Sequence, residues 1–218
     1  MKVIAINGSP RKNWNTATLL KHALKGAESA GAETKLVHLY DLTYKGCVSC
    51  FACKLKGGES FGRCAVKDDL APVFEEIRTA NALILGSPIY FGDVTGQMRS
   101  FLERLLFQYP IYDPDAFGTR PKNMKTAWIY TMNVTEDLAR EMGYDRMFKN
   151  NAELLERFFG PCQSLMCYDT LQFDDYSRYA ARRFDPVAKK KRHEEVFPKD
   201  CERAFELGVR LETSGSDL

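Results

Sequence analysis

The sequence contains no apolar run that approaches the roughly 18 uninterrupted residues of a membrane span. Only Met1 and Lys2 precede the first apolar segment, which is too short for the apolar core of a signal peptide. Excess charge is also missing, because 31 basic and 29 acidic residues leave a formal net charge of +2. Such a balance disfavours a protein dedicated to nucleic acids or membrane surfaces. We therefore expect a cytoplasmic protein whose partners are small molecules or other proteins.

Two common nucleotide-binding motifs are absent. The segment after the first apolar run contains neither G-x-G-x-x-G nor G-x-x-x-x-G-K-[ST]. Their absence disfavours a nucleoside triphosphate as ligand, and it disfavours NAD bound in the usual dinucleotide mode.

The cysteines do not resemble a disulfide framework. The chain has seven, an odd number, and four of them lie between Cys47 and Cys64. The other three, Cys162, Cys167 and Cys201, stand among apolar residues and are predicted to be small buried hydrophobes. The clustered four are the candidates for redox or metal chemistry.

Short β-branched segments alternate with longer segments of helical periodicity, which predicts an α/β fold with a parallel sheet between two helical layers. Strands are predicted at residues 2–7, 35–39, 81–86, 126–132 and 163–170. Helices are predicted at residues 17–27, 70–77, 98–106, 145–159 and 187–211, with Gly31 as the C-terminal cap of the first. We expect one domain over residues 1–218, with a Cys-rich loop at 44–67 and a C-terminal helical extension at 175–218.

The loop between the first strand and the first helix suits an anion. Ser9, Asn15 and Thr16 supply side-chain donors, and Arg11 adds positive charge. The free amides of the helix's first turn and the positive end of its dipole favour a terminal phosphate at this place. The alternative is an ordinary turn in which Ser9 and Asn15 only cap the helix.

A second loop, residues 86–92, follows the third strand. In the doubly wound strand order 2-1-3-4-5 the third strand is the neighbour of the first, so both loops would meet in one crevice. Tyr90 and Phe91 stand between Pro88 and Gly92 and would form a flat apolar wall for a planar heterocycle. The alternative is that the two rings simply pack in the core.

As a set, these segments make the chain resemble the flavodoxin-like NAD(P)H-dependent FMN reductases, and especially the iron-sulfur flavoprotein branch. The residues that carry the resemblance are 8–11, 15–16, the Cys-rich loop with 67–69, 86–92, 96–98, Phe101 and Arg104. The resemblance implies a flavodoxin-like three-layer sandwich with a five-stranded parallel sheet in the order 2-1-3-4-5. It also implies that FMN is the cofactor and that the protein is a homodimer or homotetramer, in which residues 107–117 would cover a neighbour's flavin.

The resemblance also assigns residues to the parts of FMN. Ser9, Arg11, Asn15 and Thr16 would hold the phosphate. The isoalloxazine would lie against Pro88, Ile89, Tyr90, Phe91 and Gly92. A third contact loop after the fourth strand would consist of Thr131, Met132 and Asn133.

The cysteine cluster leaves three alternatives open. Cys47, Cys50 and Cys53 follow C-x-x-C spacing, and Cys64 supplies a fourth thiol. Four thiolates at such spacing are enough for one 4Fe-4S cluster, which the resemblance places close to FMN. Ten residues separate Cys53 from Cys64, which is longer than the family pattern. A structural zinc site and a loop of reduced cysteines packed over the flavin are the other two alternatives.

The function implied by the resemblance is electron transfer through FMN. NAD(P)H or a ferredoxin-like carrier would be the donor, and a quinone, a free flavin or another small molecule the acceptor. No catalytic side chain is nominated, because the flavin itself contains the redox chemistry. Asp68 and Asp69 are interpreted as a helix cap. The alternative function is a non-enzymatic electron carrier similar to flavodoxin.

Overall fold

A computed structural model of the chain describes residues 1–112 and 123–213. Its sheet contains six strands: β1 Lys2–Asn7, β2 Glu33–His38, β3 Ala82–Tyr90, β4 Asp93–Val94, β5 Lys125–Thr131 and β6 Cys162–Cys167. Five of them run parallel in the order β2-β1-β3-β5-β6, while β4 pairs only with β3. Counting the parallel strands alone, this is the predicted order 2-1-3-4-5. The fold is flavodoxin-like.

Seven α-helices connect and flank these strands in the described part of the chain. They are α1 Asn15–Ser29, α2 Leu70–Thr79, α3 Gly96–Phe107, α4 Glu136–Glu141, α5 Tyr144–Phe158, α6 Pro186–Glu195 and α7 Phe197–Thr213. None of them is long and apolar enough to cross a membrane.

Helix α1 ends as predicted. Gly31 has φ +95°, a left-handed conformation that favours glycine. The N–H of Gly31 donates to the carbonyl of Glu28, and the N–H of Ala32 donates to that of Ala27. These two bonds are those of a Schellman motif, which satisfies the last carbonyls of the helix and turns the chain into β2.

The sheet separates two apolar cores because successive side chains of a strand point to opposite faces. On β1, Ile4 and Ile6 face the core formed with α2, α3 and α5. Val3 and Ala5 face the opposite core, which is formed with α1 and α7. All four side chains are fully buried, which explains the near-continuous apolar sequence of the central strand.

Helices α1 and α7 approach each other very closely. A Cβ at Gly26 would lie 1.9 Å from the carbonyl oxygen of Phe205, and a Cβ at Gly208 would lie 1.8 Å from that of Ala23. Only glycine permits this approach, since the neighbouring atoms belong to backbone. The C-terminal helix is thereby packed against the helix that begins at the candidate phosphate loop.

Strand β3 is longer than predicted. It continues through Tyr90, and Ile89 and Tyr90 pair with Val94 and Asp93 of β4 in an antiparallel hairpin. Residues 87–90, which the sequence placed in a loop, are therefore strand residues. The hairpin turn consists of Phe91 and Gly92, which both have positive φ and let the chain reverse in two residues.

The predicted helix 187–211 is wrong as one element. The chain forms α6 and α7, and Val196 separates them. Pro198 explains the break, because proline has no N–H and its ring conflicts with the carbonyl four residues earlier. The short helix α4 was not predicted. It begins after Thr135, whose side chain accepts a hydrogen bond from the N–H of Leu138.

Candidate functional site

A cleft of about 300 Å³ opens where β1, β3, β5 and β6 end. Parallel strands present their carboxyl ends at one edge of a sheet, so the loops that follow them meet there. The cleft brings together ten of the twelve residues predicted to contact a cofactor: Ser9, Arg11, Asn15, Thr16, Pro88, Ile89, Tyr90, Thr131, Met132 and Asn133.

The loop after β1 is anchored through its backbone. The N–H of Gly8 donates to the carbonyl of Gly86 at 2.8 Å, and the carbonyl of Gly8 accepts from the Thr95 hydroxyl at 2.7 Å. A Cβ at Gly8 would lie only 2.9 Å from the Cβ of Met98 on α3. The loop therefore sits directly on β3 and on the start of α3, and glycine is needed at this contact.

A buried amide network positions Ser9. The N–H of Ser9 donates to Oδ1 of Asn7 at 3.0 Å, and Nδ2 of Asn7 lies 2.9 Å from Nδ1 of His38. Burial lowers the pKa of His38; the carboxylate of Asp41 opposes this shift, and the charges of Lys12 and Lys21 add to it. An uncharged His38 ring can accept the hydrogen bond from Asn7 and places no positive charge behind the loop.

The first turn of α1 has no side-chain cap at its N-terminus. Ser9, Asn15 and Thr16 are buried, and Trp14 at the N-cap supplies no side-chain hydrogen bond to the first turn. The early N–H groups of a helix need partners from outside the helix, and an anion satisfies them. Arg11 lies at the exposed rim, with its guanidinium 4.7 Å from the centre of the Trp14 ring.

The segment after β6 closes one side of the cleft, and the sequence analysis missed it. Nδ2 of Asn15 and Nε1 of Trp14 donate to the carbonyl of Leu171 at 2.8 and 3.1 Å. Arg11 donates to the carbonyl of Gln172 at 2.7 Å. Four lining residues were not nominated from the sequence: Trp14, Thr170, Leu171 and Gln172. Their position after the fifth parallel strand was the available signal, because the other three loops were chosen by the same rule.

The third predicted loop is tied both to the first and to α6. The hydroxyls of Thr16 and Thr131 lie 2.7 Å apart in a buried site. Nζ of Lys189 donates to the backbone and side-chain oxygens of Asn133 at 2.7 and 2.6 Å, and it pairs with Asp169. Lys189 is itself buried, so these oxygens take the place of the water that would otherwise hydrate its ammonium group.

The aromatic wall differs in part from the prediction. Tyr90 lines the cleft and is half exposed, whereas Phe91 and Gly92 are not among the lining residues. Phe91 occupies the hairpin turn with φ +51° and is fully exposed. Neither ring is packed in the core, so the structure does not follow the core alternative for this pair.

The four clustered cysteines converge on a second, smaller cavity. Cys47, Cys50, Cys53 and Cys64 all line an apolar cavity of about 20 Å³ beside the second half of α3. Among residues 1–112 and 123–213, no three His, Cys, Asp or Glu side chains are placed to hold a single metal ion. All seven cysteines of the chain are free.

Two residues with a strained backbone conformation lie between the first three cysteines of this cavity. Ser49 and Phe51, which flank Cys50, have φ values of +52° and +55°. Non-glycine residues in this conformation cost about 1–3 kcal/mol each, and they persist where the surroundings impose them. The backbone changes direction on either side of Cys50, and Cys47, Cys50 and Cys53 all line the same cavity.

Arg104 forms the wall of the cavity from α3. Its side chain is 1% exposed and pairs with Asp68. It also donates to the carbonyls of Lys45 and Val66 at 3.4 and 3.3 Å. Burial opposes the charge, but hydrogen bonds to Asp68 and Cys64 outweigh it and raise the pKa of Arg104. Its Nε is buried and has no hydrogen-bond partner.

The carboxylate of Asp68 has partners on both α2 and α3. Its Oδ1 accepts from the N–H of Leu70 at the start of α2, while its Oδ2 meets Arg104. Asp69 instead accepts from the N–H of Thr43 at 2.7 Å. Asp68 therefore links α3 to the start of α2, whereas Asp69 holds the segment just before the Cys-rich loop.

A second cation lies against the same cavity. Nζ of Lys54 donates to the carbonyl of Phe107 and lies 4.9 Å from the centre of its ring. Burial lowers the pKa of Lys54, and burial raises the pKa of the adjacent Cys53 thiol. Four thiols and Arg104 thus line the cavity and Lys54 lies beside it, a composition suited to a polynuclear anionic group that is bound through sulfur.

Comparisons with known proteins show what the chain is similar to. The model of the NADPH-dependent FMN reductase family matches residues 1–127, more than half of the chain. An iron-sulfur flavoprotein of Methanocaldococcus jannaschii is 38% identical over 104 residues, which are 48% of this chain and 51% of the relative. One from Archaeoglobus fulgidus is 41% identical over 104 residues, 48% of each chain. The match therefore spans about half the length of these curated relatives.

A solved structure shares the whole fold. The NAD(P)H:quinone oxidoreductase from Methanothermobacter marburgensis superposes with a TM-score of 0.71 at 16% identity, and the match covers 97% of each chain. Identity this low shows a common fold alone. The family match places the chain more specifically: over about half its length it is similar to iron-sulfur flavoproteins, and it belongs to the NADPH-dependent FMN reductase family.

Proposed function

We propose that the protein is an FMN-dependent oxidoreductase with a 4Fe-4S cluster in the four-cysteine cavity. NAD(P)H or a reduced ferredoxin-like carrier would supply electrons, and a quinone, a free flavin or another small molecule would receive them. The observation that carries the proposal is the convergence of three predicted ligand loops on one cleft, beside a separate cavity lined by four thiols.

The phosphate of FMN would bind at the start of α1. Ser9, Asn15 and Thr16 are buried there, and the first-turn amides lack a side-chain cap. Arg11 would add charge from the rim. A charge-assisted hydrogen bond to a phosphate contributes about 1.5–3 kcal/mol, so even one of these donors affects affinity measurably.

The isoalloxazine would lie against residues 88–90, and residues 131–133 would contact it from β5. Lys189 fixes the orientation of Asn133, and the paired hydroxyls of Thr16 and Thr131 fix the spacing between the phosphate and ring loops. When bound, the flavin supplies hydride acceptance and electron storage. The chain's residues bind it, orient it and leave one side of the cleft open.

The cavity residues fit a 4Fe-4S cluster. Four thiols face one space, strained turns at Ser49 and Phe51 present them, and the buried Nε of Arg104 lacks an acceptor that a sulfur would provide. The names of the curated relatives support the same group. Structural zinc is less well supported, because it requires all four thiols around one ion.

The protein is further proposed to be cytoplasmic and oligomeric. Seven free cysteines are consistent with a reducing compartment, which supports the cytoplasm as its location. A homodimer or homotetramer is proposed from the family alone. Part of the segment predicted to cover a neighbouring flavin, residues 113–117, lies outside the described residues.

Anaerobic purification followed by cofactor analysis tests the proposal. The expected result is one FMN and about four irons and four sulfides per chain. Cys53→Ser is expected to remove the iron, whereas Cys162→Ser, a matched control on β6, should keep it. Iron-free protein from anaerobic cells would contradict the cluster, and failure to bind FMN would contradict the whole proposal.

A matched pair of serine variants tests the phosphate site. Oγ of Ser9 accepts from the N–H of Arg11 in the cleft, while Oγ of Ser29 donates to a carbonyl at the opposite end of α1. Ser9→Ala should weaken FMN binding about tenfold or more, as expected for a lost hydrogen bond to a charged group. Ser29→Ala should leave it unchanged. Equal affinities in a fluorescence titration would contradict this placement of the phosphate.

The second candidate function is a non-enzymatic electron carrier, which the flavodoxin-like strand order also accommodates. Stopped-flow spectroscopy separates the two. An enzyme of this family should have its flavin bleached by NADPH or NADH without a protein partner. Bleaching only in the presence of a reduced protein carrier would favour the electron-carrier function.

A further inference from the structure

Arg104 is built into the wall of the four-cysteine cavity in an unusual way. Its Nη atoms serve Asp68 and two backbone carbonyls, whereas its Nε is buried and has no partner. A buried donor left without an acceptor destabilises a protein, and more so in a charged group. Because Arg104 lines the cavity, such an atom indicates a missing acceptor at this wall.

We propose that Arg104 is a positioning residue that raises the reduction potential of the cluster, by donating through Nε to a cluster or thiolate sulfur and by adding a buried positive charge. This inference rests on the proposed function, because it requires a cluster in the cavity.

Electrostatics gives the direction of the effect. In the titration, one electron passes from dithionite to the cluster, no bond to cysteine breaks, and the cavity gains one negative charge. A fixed cation and an N–H donor to sulfur both favour the more negative, reduced form. The side chain of Arg104 is 1% exposed, so solvent screens this interaction weakly.

Asp68 should lower the reduction potential of the cluster, which is opposite to the effect of Arg104. Its carboxylate pairs with the guanidinium and offsets part of the positive charge near the cavity. Lys54, a second cation beside this cavity, donates to the carbonyl of Phe107 and interacts with Cys53 rather than with the Arg104 side of the cavity. Removing the charge of Asp68 should therefore raise the potential, while changes at Arg104 should lower it.

Potentiometric titrations of the holoprotein, followed by electron paramagnetic resonance of the reduced cluster, test the inference. Arg104→Lys keeps the charge but lacks the Nε donor, and Arg104→Gln loses the charge. We expect Arg104→Lys to lower the equilibrium constant for cluster reduction about tenfold, which is about 59 mV for a one-electron couple. Arg104→Gln should lower it further, and Asp68→Asn should raise it.

Arg192→Lys is the matched control. Arg192 is also buried, pairs with Asp200 and has an unpartnered nitrogen, but it lies on α6 and does not line the cavity. The substitution Arg192→Lys should destabilise the fold and leave the reduction potential of the cluster unchanged. A purely structural Arg104 would give the same pattern as Arg192, so unchanged potentials in Arg104→Lys and Asp68→Asn would overturn the inference.

Failure of the proposed function and failure of this inference give different results. If the wild-type holoprotein contains no iron, the cluster itself is refuted, and the Arg104 inference falls with it. If Arg104→Lys does not retain iron, Asp68→Asn decides. A raised potential in that variant supports the inference, whereas an unchanged or lowered potential overturns it.

Discussion

The close approach of α1 and α7 makes a quantitative prediction. At Gly208 an added Cβ would lie 1.8 Å from the carbonyl oxygen of Ala23, and ordinary contact begins near 3.4 Å. Gly208→Ala therefore requires the helices to separate by about 1.6 Å, and the obstacle is backbone, which cannot rotate away. Overpacking of this kind costs about 1–3 kcal/mol, and this contact belongs at the upper end.

Helix propensity partly compensates for the clash. Alanine favours a helix interior over glycine by about 1 kcal/mol, so the net loss expected for Gly208→Ala is about 2 kcal/mol. Gly96 on α3 provides the control, because an added Cβ there meets no atom within 4 Å. Gly96→Ala should leave stability unchanged or raise it by up to about 1 kcal/mol.

Urea unfolding followed by circular dichroism measures both values. The free energy of unfolding should fall for Gly208→Ala and should not fall for Gly96→Ala, with similar dependence on urea concentration. If Gly208→Ala is as stable as the wild type, the two helices are not in backbone contact, and the reasoning about α7 fails.

Three other predictions concern the cleft and the cysteines. Thr16→Val or Thr131→Val alone leaves the other hydroxyl buried without its partner and should cost about 1–3 kcal/mol, while a double-mutant cycle should show that the double variant loses less than the sum. The folded state lowers the pKa of His38, so the unfolded state binds more protons below pH 6.5. The free energy of unfolding should thus fall as pH drops below 6.5 towards the folded pKa, and His38→Gln should make this dependence shallower in urea titrations at several pH values. Burial raises the pKa of the Cys167 thiol, whereas Cys50 is exposed, so a thiol reagent should modify Cys50 in cluster-free native protein and spare Cys167, as peptide mass spectrometry would show.

Much of the fold could be predicted because local and long-range signals agree. The apolar run of β1, the glycine after α1 and the alternation of strands with helices all favour the same sheet. The errors arose where one local feature overrides periodicity. Pro198 divides a continuous helical pattern into α6 and α7, and the turn at Phe91 converts a loop into a hairpin.

The cleft was predictable where a loop carries distinctive residue types, as at Ser9 and Thr16. The segment after β6 carries no such signal, since Leu171 contributes its backbone carbonyl rather than its side chain. The roles of Arg104 and Lys189 were not predictable either. Each buried cation acquires its partners from distant parts of the chain, which spacing in the sequence does not reveal.

Helix α3 connects the two candidate sites. Thr95 at its start contacts the carbonyl of Gly8 in the phosphate loop, and Arg104 near its end lines the thiol cavity. Nine residues at 1.5 Å per residue separate them by about 13 Å along the axis. Inserting one residue between them would rotate Arg104 by about 100° away from the cavity. The length of α3 therefore fixes the distance between the first loop of the cleft and the wall of the thiol cavity.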